Sequence, residues 1–351
     1  MADSEQRVHG DIDHAELARL GIEPAELLDL SVNVSPLGPH PEVVAAARSA
    51  ALDRYPDRRS AHAKRAIASA LDVDEARVML GHGAAELLWT LVQSFADAQR
   101  PLLSIGPTFS EPEAAARTHG IPCVQLRMPE ASDFALDAAA IDAAIRLHAP
   151  CAVYLCHPNN PTGRALALPA LQALCEAHPT THFILDQAFL SLSTRHGEHS
   201  ARFGEHVVLV RSLTKDHALP GLRVAYALAQ PELAARVEAR RAAWMISAPA
   251  QAAIVAAMAR PEHVDQARQA LLAGRAGLAA ALAPRGVHVV PSETHFLLAR
   301  VGAADAFRDR LLRRHRILVR SCTSFGLPDH VRLAGCAPTD LARLLAAWDA
   351  A

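Results

Sequence analysis

The strongest constraint on the fold is a regular alternation between short apolar runs and longer segments with helical periodicity. Between residues 78 and 177, short apolar runs alternate with longer segments whose apolar positions recur three or four residues apart, and further apolar runs follow up to residue 228. Apolar strands joined by helices form βαβ units, which build a mostly parallel sheet flanked by helices. The pattern therefore predicts an α/β fold around such a sheet.

The individual elements can be placed along the chain. Helices are predicted at 41–52, 61–71, 84–95, 111–119, 137–147 and 168–177, and strands at 78–81, 101–105, 121–126, 151–156, 183–185, 207–210 and 222–228. After Pro231 the pattern is richer in helix, with helices at 264–282 and 340–348 and short strands at 287–290, 295–298 and 317–320. This change predicts a large domain at 41–245 and a smaller α+β domain at 246–351, to which residues 1–40 contribute.

Charge and composition exclude several classes of function. The 351 residues carry a formal net charge of −2, and 51% of them are hydrophobic. A near-neutral chain without a basic stretch is not expected to bind nucleic acid, and no apolar run reaches the roughly 18 residues of a membrane span. Residues 1–21 are polar and acidic, unlike a signal peptide, so a cytoplasmic protein is expected. The six cysteines form no CxxC pair, and no metal site is expected.

The lysine content is unusual. Only two of the 35 basic residues are lysines, namely Lys64 and Lys215. A guanidinium group does not lose its proton in proteins, so arginine cannot replace lysine where a nucleophilic amine is needed. No motif surrounds Lys64, and its side chain is expected to lie in solvent. Lys215 lies a few residues after a predicted strand, and the hydroxyl residues Ser212 and Thr214 precede it.

Small and polar residues follow five of the predicted strands. Ligands of open α/β sheets bind beyond the carboxyl ends of the strands. The segments at those ends are Gly81-His82-Gly83-Ala84, Gly106-Pro107-Thr108-Phe109, His157-Pro158-Asn159-Asn160, Asp186-Gln187-Ala188-Phe189 and Arg211-Ser212-Leu213-Thr214-Lys215. Together they supply a helix N-terminus opened by glycine, an aromatic ring, amides, a carboxylate, hydroxyls and an amine.

This set of groups suits a flat, anionic, heteroaromatic aldehyde. Helix N-terminal amides bind phosphate, an aromatic ring stacks on a ring, and a lysine amine forms a Schiff base with an aldehyde. Pyridoxal 5′-phosphate (PLP) requires all of these features together. A nicotinamide dinucleotide is the alternative suggested by Gly81-x-Gly83, but no third glycine follows in the required position.

Three motifs together resemble one enzyme family. They are Asn159-Asn160-Pro161-Thr162-Gly163, Asp186-x-Ala188-Phe189 and Ser212-Leu213-Thr214-Lys215, the last followed by Arg223 eight residues later. This combination resembles the fold-type-I PLP enzymes of the class I/II aminotransferase family. Within that family it is similar to the group of histidinol-phosphate aminotransferases and threonine-phosphate decarboxylases, over about residues 25–335.

The resemblance implies roles around the cofactor ring. Lys215 would form the Schiff base and later move the Cα proton, and Asp186 would pair with the ring nitrogen. Asn160 would hydrogen-bond to the phenolic oxygen of the ring, and Phe109 would stack on its face.

The resemblance also implies a phosphate site for the cofactor. The amides of Gly83 and Ala84, the hydroxyls of Ser212 and Thr214, and the guanidinium of Arg223 would hold the phosphate.

Five further residues are candidates, four of them through the same resemblance. Tyr55 matches a tyrosine that reaches the phosphate of the neighbouring subunit, which implies a homodimer with shared active sites. Arg332 matches the arginine that takes the substrate carboxylate, while Arg320 is a candidate second anion site by its residue type alone. Asn33 and His9 lie in segments that resemble N-terminal motifs of threonine-phosphate decarboxylases and are candidate substrate contacts.

Several positions depart from the family pattern. Phe189 stands where transaminases usually carry a tyrosine, Asp216 and His217 follow the lysine where apolar or aromatic residues are commoner, and His295 replaces a frequent asparagine.

The motifs taken together predict an aminotransferase acting on an amino acid or a phosphorylated amino compound. A PLP-dependent decarboxylase of a phosphorylated amino acid and a PLP-binding protein without turnover are the alternatives.

Overall fold

The structure, a computed structural model, describes residues 12–350. The chain divides into two compact units. The small unit comprises the N-terminal segment up to Asn33, Pro161–Gly163 and Gln269–Ala351, and the large unit comprises Val34–Asn160 and Arg164–Arg268. The domain boundaries predicted from the sequence, at residues 40 and 245, remain predictions.

The helices and strands have the following bounds. The helices are α1 His14–Leu20, α2 Pro41–Arg48, α3 Ala61–Leu71, α4 Ala84–Ser94, α5 Glu111–Thr118, α6 Ala138–His148, α7 Leu168–Glu176, α8 Leu213–Asp216, α9 Pro231–Glu238, α10 Ala248–Met258, α11 Pro261–Leu282, α12 Ala304–His315 and α13 Pro338–Asp349. The strands are β1 Leu28–Asp29, β2 Val78–Gly81, β3 Leu102–Gly106, β4 Cys123–Arg127, β5 Ala152–Cys156, β6 His182–Asp186, β7 Val207–Ser212, β8 Ala225–Leu228, β9 Val289–Val290, β10 Phe296–Arg300, β11 Ile317–Leu318, β12 Arg320–Ser321 and β13 His330–Ala334. Within residues 12–350 no helix is long and apolar enough to cross a membrane.

The large unit is built on one twisted sheet with the strand order β2-β8-β7-β6-β5-β3-β4. Strands β3 to β7 run parallel, and β8 is antiparallel to both of its neighbours. Strands β5 and β7 are buried along their whole length, as expected for a sheet covered on both faces. The prediction of an α/β fold with a mostly parallel sheet is confirmed.

The parallel strands align their carboxyl ends at one edge of this sheet. Cys156 at the end of β5 lies opposite Asp186 at the end of β6, which in turn lies opposite Val210 on β7. At the other side of β7, Ala225 lies between Ser212 and Gly81. The segments that follow Gly81, Cys156, Asp186 and Ser212 therefore meet at the same edge, together with the segment that precedes Ala225.

The small unit holds an antiparallel sheet of order β12-β13-β10-β9 and a parallel pair of β1 with β11. Its core includes Leu297, Val331 and Leu333 and packs against α12 and α13. The predicted strand at 317–320 is interrupted at Val319, and its two halves pair with different partners, β1 and β13. The predicted strand at 222–228 begins only at Ala225, because Arg223 has a positive φ of 53° that extended strands exclude.

Candidate active site

Asp186 is the buried acid of the sheet edge. The side chain is only 4% exposed. The Tyr154 hydroxyl donates to its Oδ2 at 2.9 Å, and the Ala188 amide donates to its Oδ1 at 3.0 Å. Burial raises the pKa of Asp186, and the two donors and the positive charge of Lys215 act against that rise. Asp186 is therefore a carboxylate held in place by donors and coupled to one particular amine.

Tyr154 is a site residue that the sequence analysis missed. It lies in the middle of β5, is fully buried, and has a pKa raised well above its ordinary value by burial and by Asp186. A buried tyrosine normally finds a partner for its hydroxyl. The sequence did offer a signal: Tyr154 carries the one hydroxyl in the apolar run Ala152–Cys156, and a hydroxyl buried there needs a polar partner.

Lys215 lies on the short helix α8, directly after β7. Its positive charge lowers the pKa of Asp186, so the two side chains lie within electrostatic range of each other. Its backbone carbonyl accepts from the Ser35 amide at 3.0 Å. Lys64, by contrast, is not free in solvent: its side chain is partly buried, and Nζ lies 3.2 Å from Glu238 Oε1.

The loop before α4 and the segment before β8 form a cradle for an anion. Gly83 is the N-cap of α4 and has a φ of 81°, and a Cβ there would lie 2.4 Å from Arg223 Nη2. Only glycine therefore lets the Arg223 guanidinium lie against this helix N-terminus. Helix N-terminal amides, here that of Ala84 among them, and a guanidinium both favour phosphate.

Ser212 and Thr214 add hydroxyls near the same edge. Both side chains are buried, and Thr214 Oγ1 donates to the Val224 carbonyl at 3.3 Å. Ser212 ends β7 next to Ala225, whose other neighbour is Gly81. The structure thus brings Ser212 to the strand ends that also carry the Gly83 loop and Arg223.

The loops after β3 and β5 are tied together by hydrogen bonds. Thr108 Oγ1 donates to Asn159 Oδ1 at 2.8 Å, and Asn159 Nδ2 donates to the Pro107 carbonyl at 2.8 Å. Phe109 and Asn160 follow these tied residues directly, and Asn160 is buried while Phe109 is half-buried against the core. The candidate stacking ring and amide therefore stand on loops that brace each other.

Tyr55 lies apart from this group within the chain. It is 80% exposed, and its ring packs against the Trp244 ring at a centroid distance of 4.9 Å. Its proposed contact with a neighbouring subunit stays a prediction. His9 lies outside the described residues.

In the small unit, the two predicted substrate arginines are direct cross-strand partners. Arg320 on β12 lies opposite Arg332 on β13, and each is only 5% exposed. Burial lowers the pKa of Arg332 to about 10, and the charge of Arg320 acts in the same direction. Like charges at directly opposed positions destabilise a sheet. This arrangement favours an anion as a ligand.

Hydrogen bonds hold both arginines. Arg332 Nη2 donates to the Ser31 carbonyl, and the Asn33 amide, with its oxygen turned toward Arg332, accepts from Nε at 3.2 Å and Nη1 at 3.3 Å. Arg320 Nη2 donates to Ser324 Oγ at 2.6 Å. The predicted residues Asn33, Arg320 and Arg332 are thus brought together in one unit.

The large-unit residues fit PLP by their own chemistry. The Gly83 position leaves an open helix N-terminus beside Arg223, the requirement for the phosphate. Asp186 is a buried carboxylate whose pKa is raised by burial, and a protonated ring nitrogen beside it would favour its ionised form. Lys215 supplies the amine within range of that carboxylate.

Comparisons with known proteins agree with this chemistry. The family described as Aminotransferase class I and II matches residues 25–347. Among curated proteins, the chain is 32% identical to a histidinol-phosphate aminotransferase of Symbiobacterium thermophilum over 333 residues, 93% of this chain and 91% of that one. It is also 32% identical to histidinol-phosphate aminotransferase 2 of Ralstonia nicotianae, over 96% of this chain and 92% of that one.

Solved structures show the same fold. Histidinol-phosphate aminotransferase from Sinorhizobium meliloti in complex with PLP has a TM-score of 0.86 at 26% identity, covering 95% of this chain and 92% of that one. L-threonine-O-3-phosphate decarboxylase from Porphyromonas gingivalis has a TM-score of 0.79 at 25% identity, covering 92% of this chain and 99% of that one. The curated relatives favour transamination over the decarboxylase and non-catalytic alternatives. This chain therefore belongs to the class I and II aminotransferase family and is a PLP-dependent aminotransferase.

Proposed function

We propose that this enzyme transfers the amino group of a phosphorylated amino compound, with Lys215 as the residue that bonds the cofactor. The observation that carries the substrate class is the buried, directly opposed pair Arg320 and Arg332. Two guanidinium groups at opposed positions form a strongly positive site, and a phosphate dianion there would accept charge-assisted hydrogen bonds from both and offset more of their charge than a carboxylate does. Histidinol phosphate, named in the relatives, is the first candidate substrate.

The residues of the large unit hold the cofactor. PLP supplies an aldehyde that bonds an amine and a ring that withdraws electrons from the substrate Cα. Burial raises the pKa of Asp186, and the protonated ring nitrogen of PLP would oppose that rise and keep the carboxylate ionised. Asn160 would donate to the phenolic oxygen of the ring, and Phe109 would cover its face.

The phosphate of the cofactor is held at the N-terminus of α4. The backbone amides of Gly83 and Ala84, the hydroxyls of Ser212 and Thr214, and the Arg223 guanidinium are its donors. Gly83 supports this assignment because its missing Cβ leaves room for the Arg223 guanidinium. These contacts fix the position of the ring and leave Lys215 free to act on the substrate.

Lys215 moves the proton of the reaction. A lysine amine beside the bound substrate removes the Cα proton and returns it at another atom, which is general acid–base catalysis. Asn33 keeps the Arg332 guanidinium oriented through its two contacts of 3.2 and 3.3 Å, so that the fork meets the substrate anion in one geometry. His9 would contact the same substrate.

The reaction is tested with the purified holoenzyme. Histidinol phosphate and a 2-oxo acid are supplied together, and the amino acid formed from the 2-oxo acid is measured. Formation of that amino acid with equimolar loss of the amino phosphate supports the proposal. Release of carbon dioxide from O-phosphothreonine, without amino transfer from any phosphorylated amine, would contradict it and support the decarboxylase.

We also propose a homodimer. Leu52, Tyr55 and Trp244 are large apolar side chains that stand exposed on the large unit, and Tyr55 and Trp244 pack on each other. Exposed apolar patches of this kind mark protein interfaces. Light scattering over a dilution series tests the proposal: a dimer is expected for the native protein, and the Trp244→Ser variant should dissociate at concentrations at which the native protein is still dimeric. A monomeric native protein would contradict it.

The cytoplasm remains the proposed location, and the absence of nucleic-acid and membrane partners remains a prediction. The polar, acidic N-terminal sequence supports the first statement and the near-neutral charge supports the second. Cell fractionation of the tagged protein is the direct test.

A further inference from the structure

A buried polar cluster lies at the C-terminal end of α8, the helix that carries Lys215. It consists of Asp216, His217 and His263, which are 9%, 5% and 9% exposed. Charged and titratable groups are costly to bury unless partners compensate them. Asp216 and His217 occupy the two positions after Lys215 where the family commonly carries apolar or aromatic residues, so the cluster is a feature of this chain.

Asp216 ties α8 to the segment that follows the strand of Asp186. The carboxylate accepts from the His217 amide at 2.9 Å and has a hydrogen-bonding contact from the Ser191 side chain. Ser191 lies in the turn Leu190–Leu192, a few residues after Asp186. Asp216 therefore links the lysine helix to the chain that positions the buried acid.

His263 ties the other side of the cluster to the segment that precedes α2. Its Nε2 donates to the Gly38 carbonyl at 2.9 Å, and its ring lies edge-on to His40 at 5.5 Å. The turn from Ser35 to Gly38 is closed by a backbone bond of 3.4 Å, and the Ser35 amide donates to the Lys215 carbonyl at 3.0 Å. The segment 35–38 is thus held at one end by Lys215 itself and at the other by His263.

The two histidines interact within the cluster. The charge of His263 lowers the pKa of His217, while Asp216 acts in the opposite direction, and burial is the largest effect. Burial in turn raises the pKa of Asp216, which the positive charge of His217 opposes. The three groups are therefore coupled electrostatically, while their hydrogen bonds reach out to Ser191 and Gly38.

We propose that Asp216, His217 and His263 are positioning residues that hold the backbone of Lys215 between the turn at 190–192 and the segment 35–38. Helix α8 has only four residues and cannot hold its own orientation through helical hydrogen bonds. The cluster supplies the missing restraint. The inference deepens the proposed function, because it concerns the precision with which the Lys215 amine is presented.

The Asp216→Ala variant tests this positioning role in the holoenzyme. We expect kcat to fall about 10- to 100-fold while KM changes little, since misplacement of a reacting group costs this much without weakening substrate binding. Asp216→Asn retains an acceptor for Ser191 and the His217 amide, and is expected to restore most of kcat. A role in stability alone would lower the unfolding temperature and leave kcat per folded molecule unchanged, which would overturn the proposal.

The two lysines of this chain allow a second measurement that needs no substrate. Brief labelling with an amine reagent, followed by peptide mass spectrometry, gives the reactivity of Lys215 relative to Lys64. We expect this ratio to rise at least about threefold in Asp216→Ala, because a loosened helix opens more often. An unchanged ratio would overturn the proposal. If Lys215 is not the cofactor lysine, the native holoenzyme labels it freely, and that result counts against the proposed function instead.

A matched control and a second variant complete the experiment. Asp142 Oδ1 lies 2.8 Å from His178 Nε2 between α6 and the end of α7, so Asp142→Ala removes another acid–histidine contact of the large unit. It is expected to leave kcat and the labelling ratio unchanged. Should Asp216→Ala fail to fold, His263→Phe removes the bond to Gly38 and the charge that acts on His217, and it is expected to raise the labelling ratio. An unchanged ratio there would contradict the role of the segment 35–38.

Discussion

The two units differ in the charged groups that surround their buried charges. In the large unit, the carboxylate of Asp186 has two hydrogen-bond donors, and the positive charge of Lys215 acts on it. In the small unit, Arg320 and Arg332 face each other with the same charge. In the first region a carboxylate is compensated by donors and an amine, whereas in the second two like charges are opposed and the carboxylates of Asp29 and Asp305 act on them. The proposed function assigns the first region to the cofactor and the second to the substrate.

The largest expected effect comes from the amine of the compensated region. Lys215→Ala should lower turnover more than about 10⁴-fold, since both the cofactor bond and the proton transfer depend on it. Turnover and borohydride trapping of the cofactor with peptide mapping are the measurements. Lys64→Ala is the control, because it removes the other lysine and its contact with Glu238, and it should keep turnover within about twofold. Trapping on a residue other than Lys215 would refute the assignment.

The charge of the buried acid should matter next. Asp186→Asn keeps the volume but removes the charge that balances the ring nitrogen. We expect turnover to fall about 10²- to 10³-fold, the typical cost of losing one preorganised electrostatic contact. The visible absorbance of bound PLP should persist, which shows that the variant still binds the cofactor. Full activity of this variant would remove the distinction between the two regions.

The arginine pair should behave as a substrate site rather than as a stabilising element. Arg332→Leu should raise KM for the phosphorylated substrate about 10- to 100-fold, because charge-assisted hydrogen bonds are worth about 1.5–3 kcal/mol. The same change removes the like charge opposite Arg320 but also the donors to Ser31 and Asn33, so the unfolding temperature should change little and KM is the decisive measurement. A lower unfolding temperature with an unchanged KM would show that the pair is structural.

The smallest effect is a shift in pH dependence. Tyr154 donates to Asp186 and so lowers its pKa. Tyr154→Phe should therefore raise the pKa of Asp186, and the acid limb of the kcat profile should move to higher pH. At pH values well above that limb, kcat should stay within about threefold of the native value. A shift of the limb to lower pH would contradict the proposed direction of this hydrogen bond.

Local signals in the sequence predicted much of the large unit. Continuous apolar runs locate β5, β6 and β7, because strands buried on both faces need apolar residues at every position. The residues after those runs then predict which side chains meet at the carboxyl edge. Asp186, Lys215 and Gly83 were predicted in this way, whereas the positive φ of Gly83 and the close approach of Arg223 to it became visible only in the structure.

Local signals failed where a contact joins distant parts of the chain. Tyr154 looked like one more residue of an apolar strand, and only the register of β5 against β6 brings its hydroxyl to Asp186. The single predicted strand at 317–320 is two strands with different partners. No periodicity in the sequence contains that information, because pairing depends on which strands lie side by side in space.

The sequence by itself determined the α/β class, the cofactor chemistry and the position of the amine, because these depend on residue type and short-range pattern. Tertiary structure decided the opposition of Arg320 and Arg332 and the polar cluster of Asp216, His217 and His263 behind the lysine helix. Those arrangements join residues from different elements. Their energies arise from burial and from charge–charge distances, and both exist only once the chain is folded.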